Sequence, residues 1–342
     1  MKIIYANNSN LEWWVNQANL EVGLTNDIDS EYNIALWETQ DFSESQELEL
    51  ENLVGKCNLV CVFLPEFISD HWCTKFDRHN VVFFIAGKLN YTLRYARVFF
   101  HYYFFWSTTD FYHTHSEFLN QLVISHSKPK KFDILLGRKK KHRTMIFDQI
   151  DHEQNVVTYF DQVYDEDLRS KSTQSFLWPE EILAKPNKEI CWTGDEVIVN
   201  DTIVSLSQLV PINVYNSTYY SLIAETQCEN SFSFFTEKII KPLMAQRLFI
   251  VSSGQFYLKN LKKFGFKTFD NVIDESYDNE PDMAVRTKMI VDQVNLLSKL
   301  DPTQVYMKIK DRVDYNKELI LGTKWLDLMV YDLKNVLLAA IE

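Results

Sequence analysis

Four polar residues near the middle of the chain have the types and spacing of an anion-binding site. Glu225 ends an apolar run, a polar loop follows to Ser233, and Thr236, Glu237 and Lys238 open a helix-like segment. Thr236 predicts a helix N-cap, and a glutamate in the first turn suits the helix dipole. The same dipole repels a lysine, so Lys238 indicates an anion held between its ammonium group and the helix. The alternative is that Lys238 points into solvent.

A second charged feature is the basic segment from Lys128 to Arg143, which has eight lysines and arginines and one acid. Its net charge is +7, which leaves −19 on the rest of a chain whose total is −12. The letters FDILLGRKKKHR place Arg138 and Arg143 between a strand and a helix, where phosphate collects. We predict a localised anion site. The alternatives are a solvated turn or a nucleic-acid surface, and the surrounding negative charge disfavours a duplex.

Glycine is scarce in this chain. There are eight glycines in 342 residues, about 2%, where soluble proteins average roughly 7%. Neither GxGxxG nor GxxxxGK[ST] occurs, which excludes the phosphate loops of dehydrogenases and kinases. A bound phosphate must therefore contact side chains and helix ends.

Alternating strands and helices must position these groups. We predict strands at Lys2–Tyr5, Asn33–Trp37, Leu59–Leu64, Val81–Ala86, Val98–Trp106, Phe132–Leu136, Val156–Phe160, Ile212–Tyr215, Ser221–Glu225 and Leu248–Val251. We predict helices at Ser43–Leu53, Phe111–Ile124, Thr144–Ile150, Thr236–Gln246 and Gln255–Phe264, and throughout the chain after Met283, with a polar excursion at Asp161–Asp201. This order predicts an α/β protein with two Rossmann-like domains facing across a cleft and a helical tail.

The residues FFTEKIIKPLMA, between AETQCEN and LFIVSSG, resemble the donor-binding segment of GT-B glycosyltransferases. The likeness is closest to the α-1,3-fucosyltransferase type. GRKKKHR and LKNLKKFGFKTFDNVIDESYD are similar to segments of related phage and bacterial glycosyltransferase-like proteins. The resemblance covers residues 132–160 and 220–280, about a quarter of the chain. AETQCEN lacks the aromatic-Glu-Asn order of the family, and Gln246–Arg247 replaces its glycine.

The resemblance implies a GT-B fold and a domain division. The N-terminal acceptor-side domain would span 1–127, the donor-binding domain 128–316, and a C-terminal helix at 317–342 would pack back on the first domain. It also implies transfer of a sugar from a nucleoside-diphosphate donor, GDP-fucose-like or a UDP-sugar, to a glycan or another hydroxyl acceptor. Nucleic acid is the less favoured acceptor.

The resemblance also implies roles for individual residues. Glu237 would bind the ribose hydroxyls and Lys238 the diphosphate. The donor-binding set is completed by Arg138, His142, Arg143, Glu225, Ser233 and Thr236. We expect no metal, because no DxD pair is suitably placed and Asp165–Asp167 lies in the polar excursion.

An inverting transferase also needs a base to deprotonate the acceptor. Glu66, after the best N-terminal strand, is our candidate, and Glu38 is the second choice; a retaining enzyme would need neither. We predict that His101 is a hydrogen-bonded core histidine. We also predict that Trp13–Trp14 belongs to the core rather than forming an acceptor platform.

No run reaches the roughly 18 apolar residues of a membrane span, and no signal peptide is recognisable. Five cysteines without paired spacing predict reduced thiols and a cytoplasmic setting. Two other functions stay open. One is a nucleic-acid-binding or DNA-modifying protein that uses residues 128–143, and the other is a non-catalytic interaction module of GT-B shape.

Overall fold

The computed structural model describes residues 3–27, 30–39, 43–65, 68–124, 127–137, 139–158, 196–199, 202–205 and 207–341. The chain forms two compact units, which we call the first unit (residues 1–106 and 324–342) and the second unit (residues 107–323). The division comes earlier than the boundary expected after residue 127. The segment 317–342, expected to be one helical tail, is shared between the units.

The described residues contain strands and helices in alternation. The strands are β1 Ile3–Ala6, β2 Gly23–Thr25, β3 Ile34–Glu38, β4 Leu59–Leu64, β5 Val81–Ile85, β6 Gly87–Leu89, β7 Arg97–Phe100, β8 Lys130–Leu135, β9 Val156–Thr158, β10 Glu196–Val199, β11 Thr202–Ser205, β12 Thr218–Ala224, β13 Phe232–Phe234 and β14 Phe249–Ser252. The helices are α1 Ser9–Gln17, α2 Glu44–Lys56, α3 Asp70–Lys75, α4 Tyr103–Thr114, α5 Lys141–Gln149, α6 Ile212–Ser217, α7 Glu237–Met244, α8 Tyr257–Lys263, α9 Met283–Lys299, α10 Pro302–Gly322 and α11 Trp325–Ile341. Short 3-10 helices lie at Ser116–Gln121 and Glu275–Asn279.

The first unit is built on a six-stranded sheet in the order β2-β1-β3-β4-β5-β7, and every neighbouring pair is parallel. All residues of β4 and β5 are buried, which is why their sequences are unbroken apolar runs. Helix α2 is preceded by Ser43, which caps it and forms a capping box with Gln46. The helix continues past the predicted end at Leu53, and Gly55 lies inside its last turn.

The last helix completes the core of the first unit. Met329, Leu333, Val336 and Leu337 of α11 are buried with Leu11 of α1 and with side chains of the central strands. The first unit is therefore made from two separate parts of the chain.

The predicted strand at Val98–Trp106 is wrong in its second half. Strand β7 is an edge strand that ends at Phe100, and α4 begins at Tyr103. Aromatic residues suit a strand, but they also occupy the buried face of a helix. The helix predicted at Phe111–Ile124 is consequently misplaced, since α4 ends at Thr114 and a 3-10 turn follows.

A second prediction is wrong at Ile212–Tyr215, which we expected to be a strand. These residues open α6, and Pro211 stands immediately before the helix. The β-branched residues indicated a strand, but proline fixes a backbone angle that also suits a helix start.

The second unit is built on four parallel strands in the order β14-β12-β8-β9. Strands β10 and β11 form a separate antiparallel pair. The predicted strands and helices around the candidate site are confirmed in type, and their ends shift by up to a few residues. Of the predicted excursion Asp161–Asp201, all but β10 lies outside the described residues.

A buried ion pair links the two central strands of this sheet, β8 and β12, to the residue Arg247, which lies just before β14. The Arg247 guanidinium donates to Asp133 Oδ1 at 2.7 Å and to Ser221 Oγ at 3.0 Å. It also donates to Thr218 Oγ1 and to three backbone carbonyls, of Tyr215, Thr218 and Tyr220. Burial raises the pKa of Asp133, although Arg247 and the hydroxyl groups oppose that shift.

Candidate functional site

The candidate site lies at the carboxyl end of the second sheet, where the connections after β8 and β12 meet. Glu225 follows β12 directly and is fully buried. Its carboxylate accepts hydrogen bonds from Thr236 Oγ1 and from Tyr257 Oη, both at 2.7 Å. Glu225 therefore ties the start of the loop to the first residues of α7 and α8.

Burial shifts the pKa values of Glu225 and of Tyr257, which donates a hydrogen bond to it. It raises the pKa of Glu225, although the Lys238 charge and the two hydroxyl donors act in the opposite direction. Burial, together with the Glu225 charge, raises the pKa of Tyr257 well above its usual value. Tyr257 thus remains a hydrogen-bond donor to Glu225.

Two ammonium groups from different elements converge on Thr226, the first residue after Glu225. Lys140, which precedes α5, donates to the Thr226 carbonyl at 2.6 Å. Lys238, in the first turn of α7, donates to Thr226 Oγ1 at 3.2 Å. Two cations therefore lie at one point of the carboxyl edge, beside the carboxylates of Glu225 and Glu237.

Glu237 and two lysines form the beginning of α7. The Thr236 hydroxyl accepts from the Lys238 amide at 3.3 Å, which confirms the predicted cap. Lys238 Nζ donates to Glu237 Oε1 at 2.6 Å. Burial would raise the pKa of Glu237, but the charges of Lys238 and Lys241 outweigh it and hold that pKa below its usual value.

Lys241 is the second of these lysines. It is partly buried, and burial lowers the pKa of its ammonium group to about 8, against the opposing effect of Glu237. Lys241 lies one turn after Glu237 on the same face of the helix. Two lysines thus compensate the charge of Glu237.

His142 and Arg143 face the protein interior. His142 Nε2 lies 3.1 Å from the Glu225 carbonyl, and Arg143 Nη2 donates to the Ala224 and Glu225 carbonyls at 3.0 Å each. Both residues are buried. These contacts hold the end of β12, and a role in diphosphate binding stays a prediction. Arg138 lies outside the described residues.

His142 gives a test of this packing by pH. Burial and the charge of Arg143 lower its pKa from 6.5 to about 4. As the pH falls from 7 to 5, the unfolded chain takes up a proton at this position and the folded chain does not. We expect the second unit to lose about 2 kcal/mol of unfolding free energy from this group over that range.

The measurement is urea unfolding of the wild type and of His142→Gln at pH 7 and pH 5. The variant should lose less stability than the wild type between the two pH values. Equal losses would show that folding does not lower the pKa of His142. His79→Gln, which changes an exposed histidine of the first unit, is the control.

Ser233 and Asp278, an acidic residue after α8, form hydrogen bonds within the protein. Ser233 is fully buried, and its Oγ accepts from Asn260 Nδ2 at 2.9 Å. The Asp278 carboxylate accepts from the amides of Leu258 and Lys259 and so caps the beginning of α8. The amino end of this helix is therefore occupied by a protein carboxylate.

Sequence reasoning did not assign Lys140, Lys241 or Tyr257 to the site. Tyr257 follows β14, which is the parallel neighbour of β12. The residues after two neighbouring parallel strands meet at one edge, and this rule was the available signal for Tyr257. Lys140 was counted in the basic segment, but nothing in the letters distinguishes it from Lys139 and Lys141.

Most of the cations in the basic segment are engaged within the protein. Besides Lys140 and Arg143, Lys128 donates to the Tyr215 carbonyl, Lys130 donates to the Glu153 carbonyl, and Lys131 lies over the Tyr219 ring. Lys139 and Lys141 are exposed. This arrangement differs from a row of lysines that face a nucleic-acid backbone.

The candidate base Glu66 lies outside the described residues. Glu38, the second choice, is the last residue of β3. Its carbonyl accepts a hydrogen bond from Asn7 Nδ2, and its backbone N–H donates to Asn7 Oδ1. Asp70 accepts from Tyr91 Oη at 3.1 Å at the start of α3. Neither residue is thereby assigned a chemical role.

The aromatic cluster of the first unit contains His101 and the tryptophan pair. His101 is buried against the edge of Trp14, and burial lowers its pKa to about 3. Its place in the core is confirmed. However, Nδ1 has no hydrogen-bond partner among the described residues. Trp14 is buried, whereas Trp13 is partly exposed and stacks on Trp106 at 5.3 Å.

The described residues contain no group of three or more histidines, cysteines or acids that could hold a metal ion. Asp165–Asp167 lies outside them. Within the same residues no helix has both the length and the apolar character of a membrane span. Cys57, Cys61, Cys73 and Cys228 are buried free thiols.

The chain was compared with known proteins. No protein-family model matches it, and no curated protein matches it significantly. The resemblance to glycosyltransferases therefore depends on the quoted motifs alone.

Proposed function

We propose that the second unit binds a nucleoside-diphosphate sugar and that the chain is a metal-independent glycosyltransferase. The observation that carries this proposal is the convergence of Lys140 and Lys238 on Thr226, at the carboxyl edge of a parallel sheet. In open α/β sheets, ligands bind at this edge, and a helix N-terminus there favours phosphate.

In this proposal the two lysines bind the diphosphate. When the acceptor oxygen bonds to the anomeric carbon, the bond from that carbon to the phosphate oxygen breaks, and the electron pair leaves with the nucleoside diphosphate. Fixed cations stabilise the charge that develops on the leaving group. The acceptor proton goes to a base, for which Glu66 stays our candidate in an inverting reaction.

The Glu237–Lys238 ion pair has a consequence for donor binding. Lys238 Nζ already donates to Glu237, Thr226 and, at 3.5 Å, Thr236. An ammonium group has three donors, so a diphosphate must replace at least one of these contacts. The weakest is the long one to Thr236. Glu237 would then use its remaining oxygen for the ribose, as the resemblance implies.

Calorimetric titration with GDP and UDP tests the donor site. We expect Lys238→Ala and Lys140→Ala each to weaken nucleotide binding roughly 10- to 100-fold, the loss of one charge-assisted hydrogen bond. Lys288→Ala removes an exposed lysine of α9 that pairs with Asp292 and is the matched control. A far-ultraviolet circular dichroism spectrum checks that each variant is folded.

Unchanged nucleotide affinity in both variants would overturn the donor site. Hydrolysis or transfer from GDP-fucose and UDP-sugars separates an enzyme from a binding module. Nucleotide binding with neither reaction would favour the non-catalytic module.

A further inference from the structure

Lys241 lies in the last turn of α7 and has no direct partner in the described part of the chain. Its side chain is partly buried, and among the described residues its ammonium group forms neither a hydrogen bond nor an ion pair. Burying an ammonium group is costly unless an acceptor compensates its charge. The position of this lysine therefore requires an explanation.

Glu237 is the carboxylate that Lys241 can reach along the helix. A glutamate four residues before a lysine is the order in which the two side chains pair best on a helix. Glu237 is 7% exposed. Its charge opposes the effect of burial, which lowers the pKa of Lys241 to about 8. A change of rotamer in the long Lys241 side chain brings the two charges closer.

The charges that act on Lys241 are those of Glu237 and Lys238, both on α7. Helix α7 packs against β12 and α10. Three charged groups on or directly after these two elements bond to the residues that flank α7, and each has a partner there; they are Glu225, Asp314 and Lys317. The ionisation of Lys241 thus depends mainly on its own helix.

A bound diphosphate changes the balance of charge at Glu237. Lys238 Nζ donates to Glu237 Oε1 at 2.6 Å. A diphosphate beside Lys238 shares this cation with Glu237 and adds negative charge nearby. A buried carboxylate in that position favours a second cation, and negative charge favours the protonated form of a lysine.

We propose that Lys241 is a positioning residue for the donor. When the diphosphate contacts Lys238, the Lys241 ammonium group pairs with Glu237 and holds this carboxylate in place for the ribose hydroxyls. This inference rests on the proposed donor site.

The proposal predicts a dependence of donor binding on pH. In the free protein the pKa of Lys241 is about 8. The bound state favours the protonated lysine, so binding takes up a proton above that pH, and the affinity falls as the pH rises.

Calorimetric titration of the full chain with GDP and UDP at pH 7 and pH 9 tests this role. We expect the wild type to bind roughly three- to tenfold more weakly at pH 9. Lys241→Arg stays charged at both pH values, so it should keep its affinity at pH 7 and lose less by pH 9. The ionisation of the nucleotide is the same in both titrations, so the difference between the two proteins reports on position 241.

Two further variants show whether Lys241 acts through Glu237. Lys241→Met should weaken binding roughly tenfold at pH 7, and Lys288→Met, at an exposed ion pair of α9, is the control. In a Glu237→Gln background, Lys241→Met should change the affinity by less than about twofold. Circular dichroism checks that each variant is folded.

The outcomes separate this role from the donor site. Equal losses from pH 7 to pH 9 in the wild type and Lys241→Arg would overturn the positioning role and leave the donor site intact. The same holds for unchanged affinity in Lys241→Met, or for equal weakening by that change with and without Glu237. If the wild type binds neither nucleotide, the donor site and the role of Lys241 both fail.

Discussion

Arg247→Met is expected to lower the free energy of unfolding of the second unit by about 3–5 kcal/mol. Arg247 is buried and links β8 and β12 through Asp133, Ser221 and Thr218. Without the guanidinium, the buried Asp133 carboxylate loses the cation that contacts it. Its pKa, already raised by burial, should rise further, so that Asp133 becomes protonated.

Hydrogen exchange of peptides that cover β12 and β14 measures this loss within the second unit. Exchange in Arg247→Met should be faster by roughly 100-fold or more. Lys288→Ala, which breaks an exposed ion pair, should change exchange by less than about threefold. Arg247→Met combined with Asp133→Leu should recover part of the stability, since neither charge remains. A loss below about 1 kcal/mol in the single variant would show that the ion pair does not hold the strands together.

Gly254→Ala is expected to destabilise the second unit by about 3 kcal/mol or more. A Cβ atom at Gly254 would lie 1.8 Å from the carbonyl oxygen of Glu229 and 3.1 Å from that of Phe232. Both are backbone atoms, so no side-chain rotation relieves the overlap. The loop from Thr226 to Ser233 must move away from β14, and it carries Thr226, on which the two lysines converge.

Two measurements follow the effect of Gly254→Ala. Exchange of peptides from the loop should accelerate, and calorimetric GDP binding should weaken, since the loop is displaced. Gly322→Ala is the control, because a Cβ at Gly322 meets nothing within 4 Å and alanine favours a helix. Wild-type exchange and affinity in Gly254→Ala would mean that the loop does not pack on Gly254 as described.

The sequence was informative where one local signal dominated. Apolar runs predicted β4, β5, β12 and β14 because strands buried on both faces need no polar residues. Thr236 predicted the start of α7 because a hydroxyl before an acidic first turn is an N-cap signal. Glu225, Thr236 and Lys238 lie close together because they flank one connection between a strand and a helix.

The rest depended on contacts between distant parts of the chain. The sequence shows that His142 and Arg143 have side-chain hydrogen-bond donors. It does not show that the backbone carbonyls at the end of β12 are their partners. Tyr257 and Lys140 reach the site from different elements. In the sequence, Arg247 is notable because Gln246–Arg247 replaces the glycine of the family that the segment resembles. Its ion-pair partner Asp133 is 114 positions away in the chain, so the sequence does not indicate the pair.

Because α11 belongs to the first unit, the last part of that unit is synthesised after the whole second unit. Domains commonly fold as they leave the ribosome, starting from the N-terminus. The first unit cannot finish in this way, because Met329, Leu333, Val336 and Leu337 are made after the whole second unit. Until then, the apolar surface that α11 covers stays open on a nascent chain, and the first part of the protein to be made is the last to be completed.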